Sequence, residues 1–139
     1  MSGLNVAKII NEWVEKELAL PFTIYNDAMP ASEGEAGCLR HDPAPAAERR
    51  FLDGSRLLKW NLTYYIRSGD RASARNYAFD ITDRLDGKEI TDSETGVKIM
   101  IEAQTLPQFI SIDDKNNTIY SAAIVATYLE PNTEDKNNG

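Results

Sequence analysis

A lone cysteine and a lone histidine are the residues that first suggest chemistry in this chain. Cys38 and His41 have the spacing C-x-x-H, with Asp42 beside the histidine, which is a pattern that can begin a zinc site. A structural zinc site needs four protein ligands, and the sequence holds one Cys and one His in all. No nucleophile motif accompanies His41 as a base. We therefore predict no catalytic residue, no metal site and no cofactor.

Two acidic patterns also suggest chemistry, and both have a simpler interpretation. Asp80, Asp83 and Asp86 share one side of a predicted helix, where carboxylates usually face solvent and do not form a catalytic pair. Residues 113–117 begin like an EF-hand loop, but Lys115 would place a positive charge in the calcium cage. We interpret the first pattern as a solvated helix face and the second as a turn.

An aromatic strand could offer a stacking surface for single-stranded nucleic acid. Trp60, Tyr64, Tyr65 and Arg67 are the residues concerned. Strand alternation divides them between two faces, and a formal charge of −7 opposes binding to phosphates. We predict no sequence-specific nucleic acid binding.

The segment 54–87 contains the central elements that must position any site. Apolar and polar residues alternate over 58–66, which predicts a strand with one buried face. Asp70 then predicts a helix N-cap that accepts a hydrogen bond from the Ser73 amide, and Gly87 predicts the end of that helix.

The remaining periodicities predict a second helix and several strands. Residues 88–96 are polar and predict a connection. The other predicted elements are an amphipathic helix over 3–18, a hairpin of strands 22–25 and 37–40, and strands over 97–103, 109–112 and 118–129. The fold class we expect is α+β, with a mixed or antiparallel β-sheet covered on one face by two α-helices. We expect one domain over 1–130 and a flexible C-terminal tail over 131–139.

A proline-containing segment, 41–53, is predicted to be a long loop or arm. Pro43 and Pro45 disfavour a regular strand or helix across their positions. Its end holds the candidate subunit or partner interface, with two cations beside two large apolar side chains: Arg49, Arg50, Phe51 and Leu52. The alternative is that the apolar pair folds back onto the core of its own subunit.

Composition limits the class of protein. The chain has 139 residues and 22 acidic against 15 basic side chains, with no block of like charges. No apolar run reaches the roughly 20 residues of a membrane span, and no secretory signal is visible, so we expect a cytoplasmic origin and no membrane partner.

A set of spaced residues runs through the second half of the chain: Gly54, Ser55, Arg67, Ala74, Ala78, Ile81, Leu85, Leu106, Pro107, Phe109, Ile110, Asp113, Asp114, Tyr120, Ile124 and Tyr128. With the order of elements over roughly residues 1–130, this set resembles a known family, the tail terminator and minor capsid proteins of long-tailed bacteriophages. The resemblance implies a structural virion protein that assembles in the host cytoplasm and is not an enzyme. It implies a homo-oligomeric ring, expected to be a hexamer, which caps the tail tube, stops tube polymerisation and joins the tail to the neck of the head. The implied partners are the tail tube protein and the head-tail connector or neck protein.

Two alternatives stay open at this stage. One is a head-completion or neck protein, which would meet the portal side instead of the tube. The other, from a different class, is a small ligand-binding domain or enzyme, which would need buried polar groups that converge on a pocket.

Overall fold

The computed structural model describes residues 5–31, 34–43 and 49–131. Within these ranges two helices and an eight-stranded mixed sheet form an α+β fold, as the sequence predicted, and the sheet curls into a half-barrel. The elements are α1 (Val6–Leu18), β1 (Ile24–Asn26), β2 (Ala36–Asp42), β3 (Arg49–Arg50), β4 (Arg56–Ser68), α2 (Arg71–Leu85), β5 (Glu89–Thr91), β6 (Lys98–Ala103), β7 (Gln108–Ile112) and β8 (Thr118–Glu130).

Two long antiparallel strands, β4 and β8, form the centre of the sheet. They pair over their whole length, from Arg56 opposite Glu130 to Ser68 opposite Thr118. The main strand order is β1-β2-β4-β8-β6-β5. The short strand β3 pairs with β4, and β7 pairs with β8. The pair β1 and β2 is parallel, whereas the other pairs are antiparallel.

The two faces of β4 differ as its alternating sequence predicts. Leu62, Tyr64 and Ile66 are buried in the hydrophobic core, together with side chains from both helices. Residues at odd positions, such as Tyr65, point to the other side, which we call the outer face. Coverage of one sheet face by both helices stays a prediction.

Capping residues define the ends of α2, and both predictions for them are confirmed. The Asp70 carboxylate accepts a hydrogen bond from the Ser73 amide at 3.3 Å, and its own backbone is extended. Gly87 follows the last turn with φ of 77°, a conformation that favours glycine. The first helix begins in a similar way, because the Asn5 side chain accepts from the Lys8 amide.

A polar relay, buried at Tyr64 and Asn11, ties α1 to the sheet. The Tyr64 hydroxyl donates to Asn11 Oδ1 at 3.1 Å, and Asn11 Nδ2 donates to Asn26 Oδ1 at 2.9 Å. Burial removes the hydroxyl from water and raises the pKa of Tyr64, so this group stays neutral and donates its proton. The relay joins the first helix to β4 and β1.

The predicted hairpin of the first two strands is wrong, because β1 and β2 run parallel. Ile24 lies opposite Gly37 and Asn26 opposite Leu39. Arg67 contributes to this arrangement from a distant position, since its guanidinium donates to the carbonyl oxygens of Gly34 at 2.8 Å and Pro30 at 2.7 Å. The segment between β1 and β2 therefore runs back along the sheet, and β2 begins at the same end of the sheet as β1.

Two predicted loops contain strands. The polar connection over 88–96 includes β5, in which Ile90 is buried and pairs with Ile99 of β6. The predicted arm over 41–53 begins inside β2 and includes β3 near its end. Residues 44–48 of the arm, and the predicted tail after Pro131, lie outside the described residues.

Candidate functional site

The interface residues predicted from the sequence lie in a β-hairpin that extends the central strand. Arg49 and Arg50 form β3 and pair with Leu57 and Arg56 of β4. The chain then turns through residues 51–55, which we call the tip. The four predicted residues are therefore brought together at one end of the sheet.

Hydrogen bonds order the tip. The Phe51 amide donates to the Ser55 carbonyl at 2.9 Å, and the Gly54 amide donates to the Phe51 carbonyl at 3.0 Å. The Asp53 carboxylate accepts from the Ser55 hydroxyl at 2.6 Å and from its amide at 2.9 Å. These bonds favour the charged form and lower the pKa of Asp53, so the carboxylate is ionised at neutral pH. Gly54 has φ of 89°, which a residue with a Cβ adopts only with strain.

The apolar side chains of the tip face solvent. Phe51 is 42% exposed and Leu52 is fully exposed. The alternative, in which this apolar pair folds back onto the core, is therefore not observed. Arg56 donates from Nε to Glu130 Oε1 at 2.8 Å, and its Nη2 contacts the same oxygen. This ion pair holds the base of the hairpin to β8. An ordered turn thus presents two apolar groups to water.

A second exposed apolar surface, which the sequence did not predict as a site, lies on β7. Phe109, Ile110 and Ile112 are 47%, 45% and 44% exposed. The strand pairs with β8 along one edge, and in the described part of the chain no strand pairs with its other edge. We call Gln108–Ile112 the β7 edge. Unpaired strand edges that carry apolar side chains are suited to contacts with another chain.

A register shift makes the β7 edge apolar on both of its faces. Phe109 lies opposite Tyr120 and Ile112 opposite Thr118, with the irregularity between Phe109 and Ser111. Positions 118 and 120 share a face of β8, so the bulge puts Phe109 and Ile112 on one face although they are three residues apart. Ile110 instead lines a cleft on the outer face. The adjacent pair Phe109-Ile110, which breaks strict alternation, is the sequence signal for this feature.

The β7 edge leads into an acidic turn. The Asp113 carboxylate accepts from the amides of Asn117 at 2.8 Å and Lys115 at 3.0 Å, which confirms the predicted turn. These hydrogen bonds, chiefly the one from the Asn117 backbone, lower the pKa of Asp113 and keep it ionised. Asp114 beside it is exposed, and Asn116 adopts φ of 65°. Negative charge therefore lies next to the exposed apolar residues of β7.

The C-x-x-H pair does not come together in space. Cys38 lies opposite Tyr65 and His41 opposite Leu62, so the two side chains are on opposite faces of β2. The imidazole ring of His41 lies 4.5 Å from the ring of Trp60. Among the residues that the structure describes, no three His, Cys, Asp or Glu side chains are grouped as a metal ion would require.

The cleft on the outer face contains the cysteine without activating it. Its lining includes Met29, Cys38, Arg40 and Ile119. Burial raises the pKa of the Cys38 thiol, and the opposing effect of the Arg40 charge is smaller. A thiol that stays protonated is a poor nucleophile.

The helix carboxylates and the aromatic residues of β4 are the other candidate groups. Asp80, Asp83 and Asp86 are exposed, and Asp86 Oδ1 accepts a hydrogen bond from the Ala103 amide at 2.8 Å. The aromatic residues of β4 are divided between two faces, as predicted, because Tyr64 is buried in the core and Tyr65 lies on the outer face beneath Arg40. These groups form neither a carboxylate pair nor a continuous stacking surface.

Comparisons with known proteins identify the family. No curated protein matches the chain significantly. No helix in the described residues is long and apolar enough to cross a membrane. The sequence model of one family, described as bacteriophage tail terminator protein, matches residues 11–130, a range that runs from within α1 to the end of β8. Because the match spans most of the chain, this protein belongs to the bacteriophage tail terminator family and is a structural component of the phage tail.

Proposed function

We propose that this protein forms a closed ring on the end of the tail tube, stops tube polymerisation and joins the tail to the neck of the head. Membership of the tail terminator family over residues 11–130 is the observation that carries the proposal. The exposed apolar tip and the β7 edge support it, because a protein that assembles with other virion proteins needs ordered contact surfaces.

A ring requires two different surfaces on each subunit. In a heterologous contact, one patch of a subunit meets a different patch of the next, and the series closes if the rotation per step is right. The tip, which adjoins the exposed Arg49 and Arg50, and the β7 edge, whose five exposed residues are uncharged, are two such patches. We propose six subunits, in line with the ring that the sequence resemblance implies.

The acidic character of the chain suits a ring that surrounds DNA. With a formal charge of −7, its surface repels phosphates, so DNA can pass through a central channel without being retained. The proposed role is structural, with no catalysis and no bound metal. Elemental analysis tests the absence of metal. One equivalent of zinc per chain in the parent protein, and none in Cys38→Ser, would contradict it.

Tube length is the measurement that tests the proposal. Tail tube protein from the same phage is polymerised with and without this protein, and tube lengths are measured by electron microscopy. We expect shorter tubes that carry one ring at one end, because a bound ring blocks further addition. Tubes of unchanged length, together with binding to the portal-side connector, would support the head-completion or neck alternative.

A further inference from the structure

We propose that the tip of one subunit docks on the β7 edge of a second copy of this chain. Phe51 and Leu52 would contact Phe109 and Ile112, and the two arginines of β3 would face the acidic turn after β7. The inference rests on the proposed ring and names the contact that builds it.

Strand register places the two surfaces at opposite corners of the sheet. β3 pairs with Arg56 and Leu57 of β4, whose partners on β8 are Glu130 and Leu129. β7 instead pairs with 118–121, at the other end of β8 and along its opposite edge. β8 has 13 residues, so its ends are about 40 Å apart at roughly 3.3 Å per residue. A tip therefore cannot reach its own β7 edge, but it can reach that of a neighbour.

The two surfaces are complementary in charge and in polarity. The tip carries its apolar pair next to Arg49 and Arg50, which are both exposed. The β7 edge carries its apolar residues next to Asp113 and Asp114, and hydrogen bonding keeps Asp113 ionised. Two basic groups also lie there, because Lys115 is in the same turn and the Arg71 guanidinium lies 5.7 Å from the centre of the Phe109 ring. Contact between the tip and the β7 edge would bury apolar groups on both sides and bring the arginines of β3 near Asp113 and Asp114.

The bulge in β7 favours a contact made by side chains and disfavours continuous strand pairing between subunits. Pairing through a regular edge would extend the sheet from subunit to subunit and could continue without closing. The shift between Phe109 and Ser111 interrupts the hydrogen-bonding pattern of β7 and puts Phe109 and Ile112 on one face. The edge thus offers an apolar patch of limited length, which suits the compact tip.

Cross-linking between two single-cysteine variants tests the contact. In a Cys38→Ala background, one sample carries Leu52→Cys and the other Ile112→Cys, and the two are mixed before treatment with a short bis-maleimide. Met100→Cys replaces Ile112→Cys in the control, because Met100 is 41% exposed and lies on β6. We expect about tenfold more cross-linked dimer with Ile112→Cys than with the control, since docking raises the effective concentration of the two thiols.

Charge reversal provides a second measurement on the same pair of surfaces. Asp114→Lys in the Ile112→Cys chain should reduce the yield of dimer, because the turn would then repel the arginines of β3. Arg49→Glu in the Leu52→Cys chain should restore that yield. Equal yields in all combinations would contradict the proposed pairing of charges.

The outcomes separate this inference from the proposed function. Rings seen by sedimentation without enrichment of the mixed cross-link would overturn the inference alone. Cross-linking of Ile112→Cys to a second Ile112→Cys chain would also overturn the inference, because it indicates a two-fold contact. Cross-linking of Ile112→Cys to tail tube protein instead of to Leu52→Cys would overturn it as well. Cross-linked rings that leave tube length unchanged would support the contact and refute the terminator function. A chain that forms no oligomer, alone or on tubes, would overturn both.

Discussion

Reversing the chemistry of the tip should weaken ring formation without unfolding the subunit. The variant Arg49→Glu, Arg50→Glu, Phe51→Ser changes side chains that are exposed or half-exposed, and it leaves the Asp53 and Ser55 side-chain hydrogen bonds intact. A matched control is Lys8→Glu, Lys16→Glu, Met100→Ser, which alters the charge equally and removes another exposed apolar side chain. Both variants should keep the circular dichroism spectrum of the parent protein.

The size of the effect follows from exposure and charge. Phe51 is 42% exposed, so burying the rest of its ring in an interface contributes about 0.6–1.3 kcal/mol, if full burial is worth about 1.5–3 kcal/mol. Exposed ion pairs contribute about 0.2–1 kcal/mol each, and replacing attraction by repulsion at two arginines costs about 1–2 kcal/mol in all. The sum of about 2–3 kcal/mol per interface corresponds to a roughly 30- to 150-fold weaker association constant.

Analytical ultracentrifugation over a range of concentrations measures this association, and electron microscopy of tubes measures capping. We expect the tip variant to need a far higher concentration for ring formation and capping, whereas the control variant resembles the parent. If the folded tip variant assembles and terminates tubes at the parent's concentration, the tip is not an assembly interface. If the control is impaired equally, the cause is overall charge.

Three further predictions concern stability and the tip. Ile81→Ala should lower the free energy of unfolding in urea by about 2–5 kcal/mol, because Ile81 is fully buried on α2 and its truncation leaves a cavity. Tyr64→Phe should lower it by about 1–3 kcal/mol, because the buried Asn11 Oδ1 loses its hydroxyl donor. The Asp53 carboxylate, whose pKa is lowered in the folded tip, should order the turn above the pKa of a free aspartate and lose this effect as pH falls through the lowered value. The protection of the Ser55 amide against hydrogen exchange, measured relative to the intrinsic exchange rate at each pH, should therefore fall in acid.

Each of these predictions has a contrary outcome. A loss below about 0.5 kcal/mol for Ile81→Ala would place that side chain at the surface. An unchanged stability of Tyr64→Phe would mean that water or another donor replaces the hydroxyl. If protection of the Ser55 amide falls in acid in Asp53→Asn as it does in the parent protein, another group orders the tip.

The candidate site was predicted in part from the sequence. Two cations beside two apolar residues are typical of interfaces and predict Arg49 to Leu52 as a contact, and these residues lie together on an exposed hairpin. Their assembly role stays a prediction. The strand β3 was not predicted, because Pro43 and Pro45 indicate a loop and because a strand of two residues has no detectable periodicity. The β7 edge was predicted as a strand but not as a surface, because its exposure depends on which strands lie beside it.

Local sequence determined the helices, their caps, the long strands β4 and β8 and the turn before β8. Each of these depends on residues within a few positions of one another, such as Asp70 with Ser73 or Asp113 with Asn117. Tertiary structure decided the parallel pairing of β1 with β2, the strand β5 and the bulge in β7. These features depend on distant partners, for example on Arg67, which binds the loop before β2. The same long-range pairing put the tip and the β7 edge at opposite corners of the sheet, since strand direction and neighbour choice are set by packing of the whole core and not by any single segment.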